Sequence, residues 1–134
     1  MLHAFAEAHD ELLASAMNEV KRGASSQGIW GLREILAHIA AWEAEALRRI
    51  PLLAVGVPDK TYDADEFNAV AVSAISEQSF QQVKNTLLQT HQRLVHLLET
   101  LEESAFIPGG CACEWTAALT RHSQEHTREL AELV

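Results

Sequence analysis

Apolar residues recur every three or four positions along most of the chain, which is the spacing of one face of an α-helix. In the N-terminal segment this face consists of Leu2, Phe5, His9, Leu12, Ala16 and Val20. Lys21 and Arg22 follow, at the end of the predicted helix, where positive charge is favourable. No segment alternates apolar and polar residues as a half-buried β-strand would. The pattern therefore predicts an all-α protein.

A second helix is predicted over residues 32–50, with an apolar face formed by Leu32, Ile35, Ile39, Trp42 and Ala46. A polar loop at residues 23–31, which contains Trp30, precedes it. Pro51 is predicted to end the helix, because the residue before a proline avoids the helical conformation. Residues 51–65 then form a long connection, of the kind that covers a site or crosses the end of a bundle.

The second half of the chain predicts a short helix over residues 67–75, a long helix over residues 80–102 and a last helix from residue 114 onward. Ser79 and Gln82 have the spacing of a capping box at the start of the long helix. The last helix has one face formed by Trp115, Leu119, His122, His126 and Leu130. Four main helices that each bury one face predict a four-helix bundle, in a single domain over residues 1–134.

The charge of the chain argues against nucleic acid as a partner. Nineteen Asp and Glu residues against ten Lys and Arg residues give a net charge of −9, whereas phosphate binding requires a basic surface. Anionic membranes are disfavoured for the same reason, and a spanning helix needs about 20 apolar residues, which no segment supplies. There is no secretory signal and no disulfide framework, so we expect a cytoplasmic protein.

Seven histidines are the unusual feature of the composition, and two of them, His122 and His126, lie four residues apart. On a helix this spacing places the two imidazoles one above the other, and both can reach one metal ion. They also replace apolar residues on a face that is expected to be buried, where an imidazole requires a partner. Two interpretations are open: a shared metal ion, or two core histidines with separate hydrogen bonds.

A metal ion in a helical bundle needs further ligands from a facing helix. His9, His38 and His91 each lie on or beside a predicted core face and are the alternative third ligands. The pattern alone does not choose between them. His3 and His96 fit these faces less well, and we interpret them as surface residues.

Three segments resemble the DinB/YfiT-like superfamily. They are residues 30–43, residues 121–130, and residues 65–68 followed by the helix that begins after Ser79. The resemblance spans nearly the whole chain and implies a four-helix bundle with a divalent metal ion on three histidines. By position these are His38, His122 and His126. Zinc or nickel suits imidazole ligands, and three protein ligands leave an open position for water or substrate, as in catalytic sites.

The resemblance also implies possible activities and partners. Some members of the superfamily are transferases or isomerases in which the metal activates a low-molecular-weight thiol, and the family implies a homodimer. A colibactin-resistance branch, to which the segments around His38 and Phe67 are also similar, is not expected to need the three histidines. Their presence here favours a metal-dependent enzyme that uses a thiol or water to attack a small electrophilic molecule. The alternatives are a non-catalytic dimeric binding module and a metal-independent toxin-resistance hydrolase.

Further candidates accompany the histidines. Glu45, on the second predicted helix, is the preferred general base. Trp42 and Trp115 lie on histidine-bearing faces, so we expect them to line the wall of a pocket. Glu125 or Glu129 could orient an imidazole by accepting a hydrogen bond, although a solvated acidic face at the end of the helix is the more common arrangement.

Overall fold

The computed structural model describes residues 1–21 and 31–132. Within these ranges it contains no β-strand, which confirms the all-α prediction. Its elements are α1 (Leu2–Lys21), α2 (Leu32–Ala54), α3 (Ala64–Ala74), α4 (Phe80–Glu99), a 3-10 helix (Glu103–Phe106) and α5 (Cys113–Ala131). The predicted loop at residues 23–31, including Trp30, lies outside the described residues apart from Gly31, as does Arg22. None of the described helices is long and apolar enough to cross a bilayer.

The four longest helices pack against one another around two clusters of buried apolar side chains. α1 packs mainly against α5, and α2 packs mainly against α4. The first cluster includes Leu12, Leu36, Leu87 and Leu130. The second cluster includes Phe5, Ala46, Leu94 and Leu119. The chain positions between the two clusters carry buried polar side chains, among them His9 on α1, Glu43 on α2, His91 on α4 and His126 on α5.

α2 continues past Pro51 to Ala54, so the prediction that Pro51 ends this helix is wrong. A proline inside a helix removes one backbone hydrogen bond and costs about 3 kcal/mol. Packing offsets this cost, because Ile50 is buried and Leu53 packs against the second cluster. The connection between α2 and α3 is correspondingly shorter and covers residues 55–63.

The predicted capping box is present at the start of α4. Gln82 N donates a hydrogen bond to Ser79 Oγ at 3.1 Å, and Ser79 N donates one to Gln82 Oε1 at 2.8 Å. These bonds satisfy two amides that the helix itself leaves without a partner. α3 begins in a similar way, since Glu66 N donates to Asp63 Oδ1 at 3.1 Å.

Two glycines shape the turn before α5. Gly109 has a φ of +90°, in the left-handed region that glycine adopts without strain. A Cβ on Gly110 would collide with the backbone carbonyl oxygens of Ser104 and Ala105. Glycine at this position therefore allows the turn to pack against the 3-10 helix, and the turn sets where α5 and its histidines begin.

Replacing Ser79 by Ala should remove one half of the capping box and lower the free energy of unfolding by about 1 kcal/mol. Urea denaturation followed by circular dichroism measures this loss. Ser76→Ala is the control, since Ser76 is exposed and precedes the cap, and its effect should stay within about 0.5 kcal/mol. Equal losses for the two variants would contradict a role of the cap in stability.

Candidate metal centre

His38 of α2 and His122 and His126 of α5 converge on one point. The distance between Nε2 atoms is 3.0 Å for His38 and His122, 2.9 Å for His38 and His126, and 3.2 Å for His122 and His126. His38 and His126 are buried, and His122 is half-buried. The structure thus brings together the three residues predicted as ligands, whereas His9 and His91 belong to a different cluster.

Hydrogen bonds at the opposite ring nitrogens determine the tautomers of two of these imidazoles. His38 Nδ1 lies 3.2 Å from the backbone carbonyl oxygen of Glu34, and His126 Nδ1 lies 2.8 Å from Glu129 Oε2. Both partners are acceptors, so each Nδ1 carries a proton, and in the neutral form of each ring Nε2 presents a lone pair. Two lone pairs at 2.9 Å repel each other unless a cation lies between them. The three side chains therefore fit a metal ion.

The spacing of the three nitrogens agrees with common ligation of one ion. Two nitrogens at about 2.0–2.1 Å from the same ion lie about 2.9 Å apart at a right angle and about 3.4 Å apart at the tetrahedral angle. The observed distances of 2.9, 3.0 and 3.2 Å fall within this range. Imidazole donors suit zinc and nickel alike.

Burial keeps His38 and His122 in the neutral form that binds metal. Desolvation, followed by repulsion from His122 and His126, lowers the pKa of His38 from its ordinary value of 6.5 to about 3. Desolvation, followed by repulsion from His126, lowers the pKa of His122 to about 4. At neutral pH both rings are therefore uncharged and able to ligate without first losing a proton.

Glu129 is the acidic residue that orients one of these rings. It accepts the hydrogen bond from His126 Nδ1 and so fixes which nitrogen faces the other two histidines. Of the two arrangements considered for Glu125 and Glu129, Glu129 thus shows the hydrogen bond to an imidazole, although its side chain is 59% exposed. Glu125 instead lines a cavity beside the histidines.

This cavity has a volume of about 450 Å³, and His122 forms part of its wall. Trp42 and Trp115, which were predicted to line a pocket, are in the same wall. Trp42 Nε1 donates a hydrogen bond to Asn68 Oδ1 at 2.7 Å, and Trp115 Nε1 donates one to Asp59 Oδ2 at 3.0 Å. Both indoles are thereby held in place, and the volume is that of a small-molecule site.

Sequence reasoning missed Asp59 and Tyr62, which also line the cavity. Both residues lie in the connection between α2 and α3, where no periodicity indicates which side chains face inward. The one available signal was the length of this connection, which predicted that it covers a site. The aromatic rings of Trp42, Tyr62 and Trp115 contact one another at centroid distances of 5.2, 5.7 and 6.2 Å, so they form one continuous apolar surface.

Glu45, the predicted general base, is not part of the cavity wall. It forms ion pairs with Arg48 at 2.6 Å and Arg49 at 3.0 Å, and Tyr62 donates a hydrogen bond to its Oε2 at 2.5 Å. Burial alone would raise the pKa of Glu45, but hydrogen bonds from Tyr62, Arg49 and Arg48 outweigh it and lower the pKa to about 2. Such a carboxylate is a weak base. We therefore assign Glu45 to holding Tyr62 instead of to proton transfer.

Metal-free protein should lose stability as the pH falls from about 6.5 to about 4.5. In this window unfolded chains protonate their histidines, whereas His38 and His122 stay neutral in the folded state because their pKa values are about 3 and about 4. The unfolded state then binds more protons, so acid favours unfolding by up to about 1.4 kcal/mol per pH unit for each histidine. Urea denaturation in chelator at several pH values measures the slope.

The control for this experiment is the double variant His38→Gln/His122→Gln, which lacks both titrating groups. Its stability should depend less steeply on pH in the same window. A slope equal to that of the wild type would show that these two histidines titrate normally in the folded protein.

Comparison with known protein families matches residues 1–130 to the DinB superfamily. No curated protein and no solved structure matches the chain. The family match includes α2 and α5, the two helices that carry His38, His122 and His126. It agrees with the resemblance that three separate segments of the sequence indicated. The chain belongs to the DinB superfamily.

Proposed function

We propose that this protein is a metal-dependent enzyme in which His38, His122 and His126 hold a divalent ion beside a cavity for a small electrophilic molecule. The observation that carries the proposal is the convergence of the three Nε2 atoms, with those of His38 and His126 only 2.9 Å apart in the protein interior. Separate hydrogen bonds for two core histidines would not require their Nε2 atoms to lie so close together. A shared cation explains the contact.

The position of His122 supports a catalytic role over a structural one. It is the least buried of the three histidines, and it belongs to both the histidine cluster and the cavity wall. A molecule in the cavity therefore lies next to the cluster. A divalent ion with three protein ligands supplies a water or thiol of lowered pKa, and hence a nucleophile near neutral pH.

The residues around the three histidines orient the imidazole rings and bind the substrate. Glu129 accepts a hydrogen bond from His126, and the carbonyl oxygen of Glu34 accepts one from His38. Such hydrogen bonds orient the ring and make its other nitrogen a stronger metal ligand. Trp42 and Trp115 offer an apolar surface that excludes water and binds the apolar part of a substrate. We assign none of these residues to proton transfer.

The proposal includes two reactions. In one, a low-molecular-weight thiol is transferred to the electrophilic molecule, and in the other, water hydrolyses the electrophilic molecule. An assay with an electrophilic aryl halide, run with and without added thiol, distinguishes them. Consumption that requires the thiol supports a transferase, and consumption in its absence supports a hydrolase. The alternatives, a dimeric binding module and a metal-independent toxin-resistance hydrolase, both predict no effect of chelator.

The proposal also includes the architecture and setting that the resemblance implies. α1, α2, α4 and α5 would form the four-helix bundle of the family, which the packing of α1 on α5 and of α2 on α4 supports. Residues 1–134 would form one domain, and two copies would form a cytoplasmic homodimer. Light scattering tests the dimer, whose mass would be twice the 14.8 kDa of the chain.

Replacing His122 by Ala should abolish metal binding at this site and the metal-dependent activity, yet leave the protein folded. In chelator we expect its free energy of unfolding to stay within about 1 kcal/mol of the wild type, because His122 is half-buried and belongs to neither apolar cluster. Metal content of untagged protein, activity and urea denaturation are the measurements.

The matched control is Leu119→Ala, three residues earlier on α5. Leu119 is 5% exposed and packs in the second apolar cluster, so truncation should cost about 2–5 kcal/mol. If His122→Ala in chelator is as damaging as Leu119→Ala, His122 is a satisfied core residue. That result, together with wild-type protein that fails to bind added zinc or nickel, would refute the proposed function.

A further inference from the structure

A second group of metal-type ligands lies in the core, formed by His9 of α1, Glu43 of α2 and His91 of α4. Their exposed fractions are 2%, 1% and 9%. Glu43 follows His38 by five residues on α2, which places the two side chains about 140° apart around the helix axis. The second group therefore lies on a different face of α2 from the three-histidine cluster.

Two polar atoms of this group have no hydrogen-bond partner among the described residues. They are His9 Nδ1 and Glu43 Oε2, and the distance between them is 3.9 Å. This separation is too long for a hydrogen bond. A buried polar atom without a partner costs about 1–3 kcal/mol, and more when it is charged. The two atoms thus face each other across a gap that a ligand would fill.

The other half of the carboxylate is engaged. Glu43 Oε1 lies 2.7 Å from His91 Nδ1, and the rings of His91 and His9 stack with centroids 3.4 Å apart and planes within 4°. Both imidazoles therefore turn their Nδ1 edge toward the same carboxylate. Three potential metal ligands, one from each of three helices, thus surround one small volume.

The chemistry of these donors fits a divalent transition-metal ion. Two imidazoles and one carboxylate are a common donor set of zinc and of iron(II). Donors at about 2.0–2.2 Å from one ion lie about 3–4 Å apart, a range that includes the 3.9 Å gap. An ionised carboxylate in the protein interior is costly, and a cation would neutralise it.

Two members of this group lie beside a cleft. His9 and His91 line a cleft of about 860 Å³ between α1 and α4, with the acidic side chains of Asp10 and Glu99 in the same wall. Stacked rings direct their lone pairs along parallel lines, so binding requires one imidazole to turn. The cleft provides the space for this rotation on the side of the group that faces solvent.

We propose that His9, Glu43 and His91 form a second divalent-cation site, independent of the three-histidine site. It rests on different residues and a different face of α2, and so it stands whether or not the proposed function is correct.

The test is the zinc stoichiometry of untagged protein that has been treated with chelator and dialysed, measured by calorimetric titration. We expect wild type to bind two equivalents with dissociation constants below about 10 μM. His9→Gln and His38→Gln should each bind one equivalent, and the double variant none. His3→Gln, an exposed histidine on α1 that belongs to neither cluster, is the matched control and should bind two.

The outcomes separate the two sites. One equivalent in wild type and none in His38→Gln would overturn the second site and leave the proposed function intact. One equivalent that persists in His38→Gln but is lost in His9→Gln would support the second site and refute the proposed function. Should His9→Gln fail to fold, the zinc content of His38→Gln alone decides, since one equivalent supports the second site and none overturns it.

Discussion

The burial of polar side chains between two apolar clusters is the constraint on which the rest of this structure depends. Along each of the four long helices, polar side chains occupy the positions between the two apolar clusters. On α1, His9 lies between Phe5 and Leu12, and on α4, His91 lies between Leu87 and Leu94. The apolar clusters provide the burial that stabilises the fold. The polar layer can therefore hold buried polar groups that reduce stability, as functional sites often do.

The part of the site that lies on a single helix could be predicted from the sequence. His122 and His126 share a face because they lie four residues apart, and this relation holds in any α-helix. The third member could not be chosen in the same way, because the choice depends on how α2 and α4 are rotated about their own axes. Two of the alternatives, His9 and His91, meet each other instead of α5. His38 was singled out by the family resemblance alone.

The remaining errors have a common physical origin in tertiary contacts that no local pattern records. Pro51 remains inside α2 because its neighbours are packed, although it lacks the backbone N–H that a helix interior uses. The contact of Glu45 with Tyr62 was missed because Tyr62 lies in the aperiodic connection, whereas the ion pairs of Glu45 with Arg48 and Arg49 lie within one turn of α2. The capping box at Ser79, by contrast, was predictable because every atom in it belongs to a stretch of four residues.

The aromatic wall of the cavity gives the protein an intrinsic optical reporter. Two of the three tryptophans of the chain, Trp42 and Trp115, line the cavity beside His122. The indole N–H group of each donates one hydrogen bond. Indole emission responds to the polarity and to the quenching groups within a few ångströms of the ring. A molecule that enters the cavity changes the polarity around the indoles. A paramagnetic ion such as cobalt(II), bound at the histidines, would add a quenching group. Occupancy of this site can thus be followed by fluorescence in unlabelled protein.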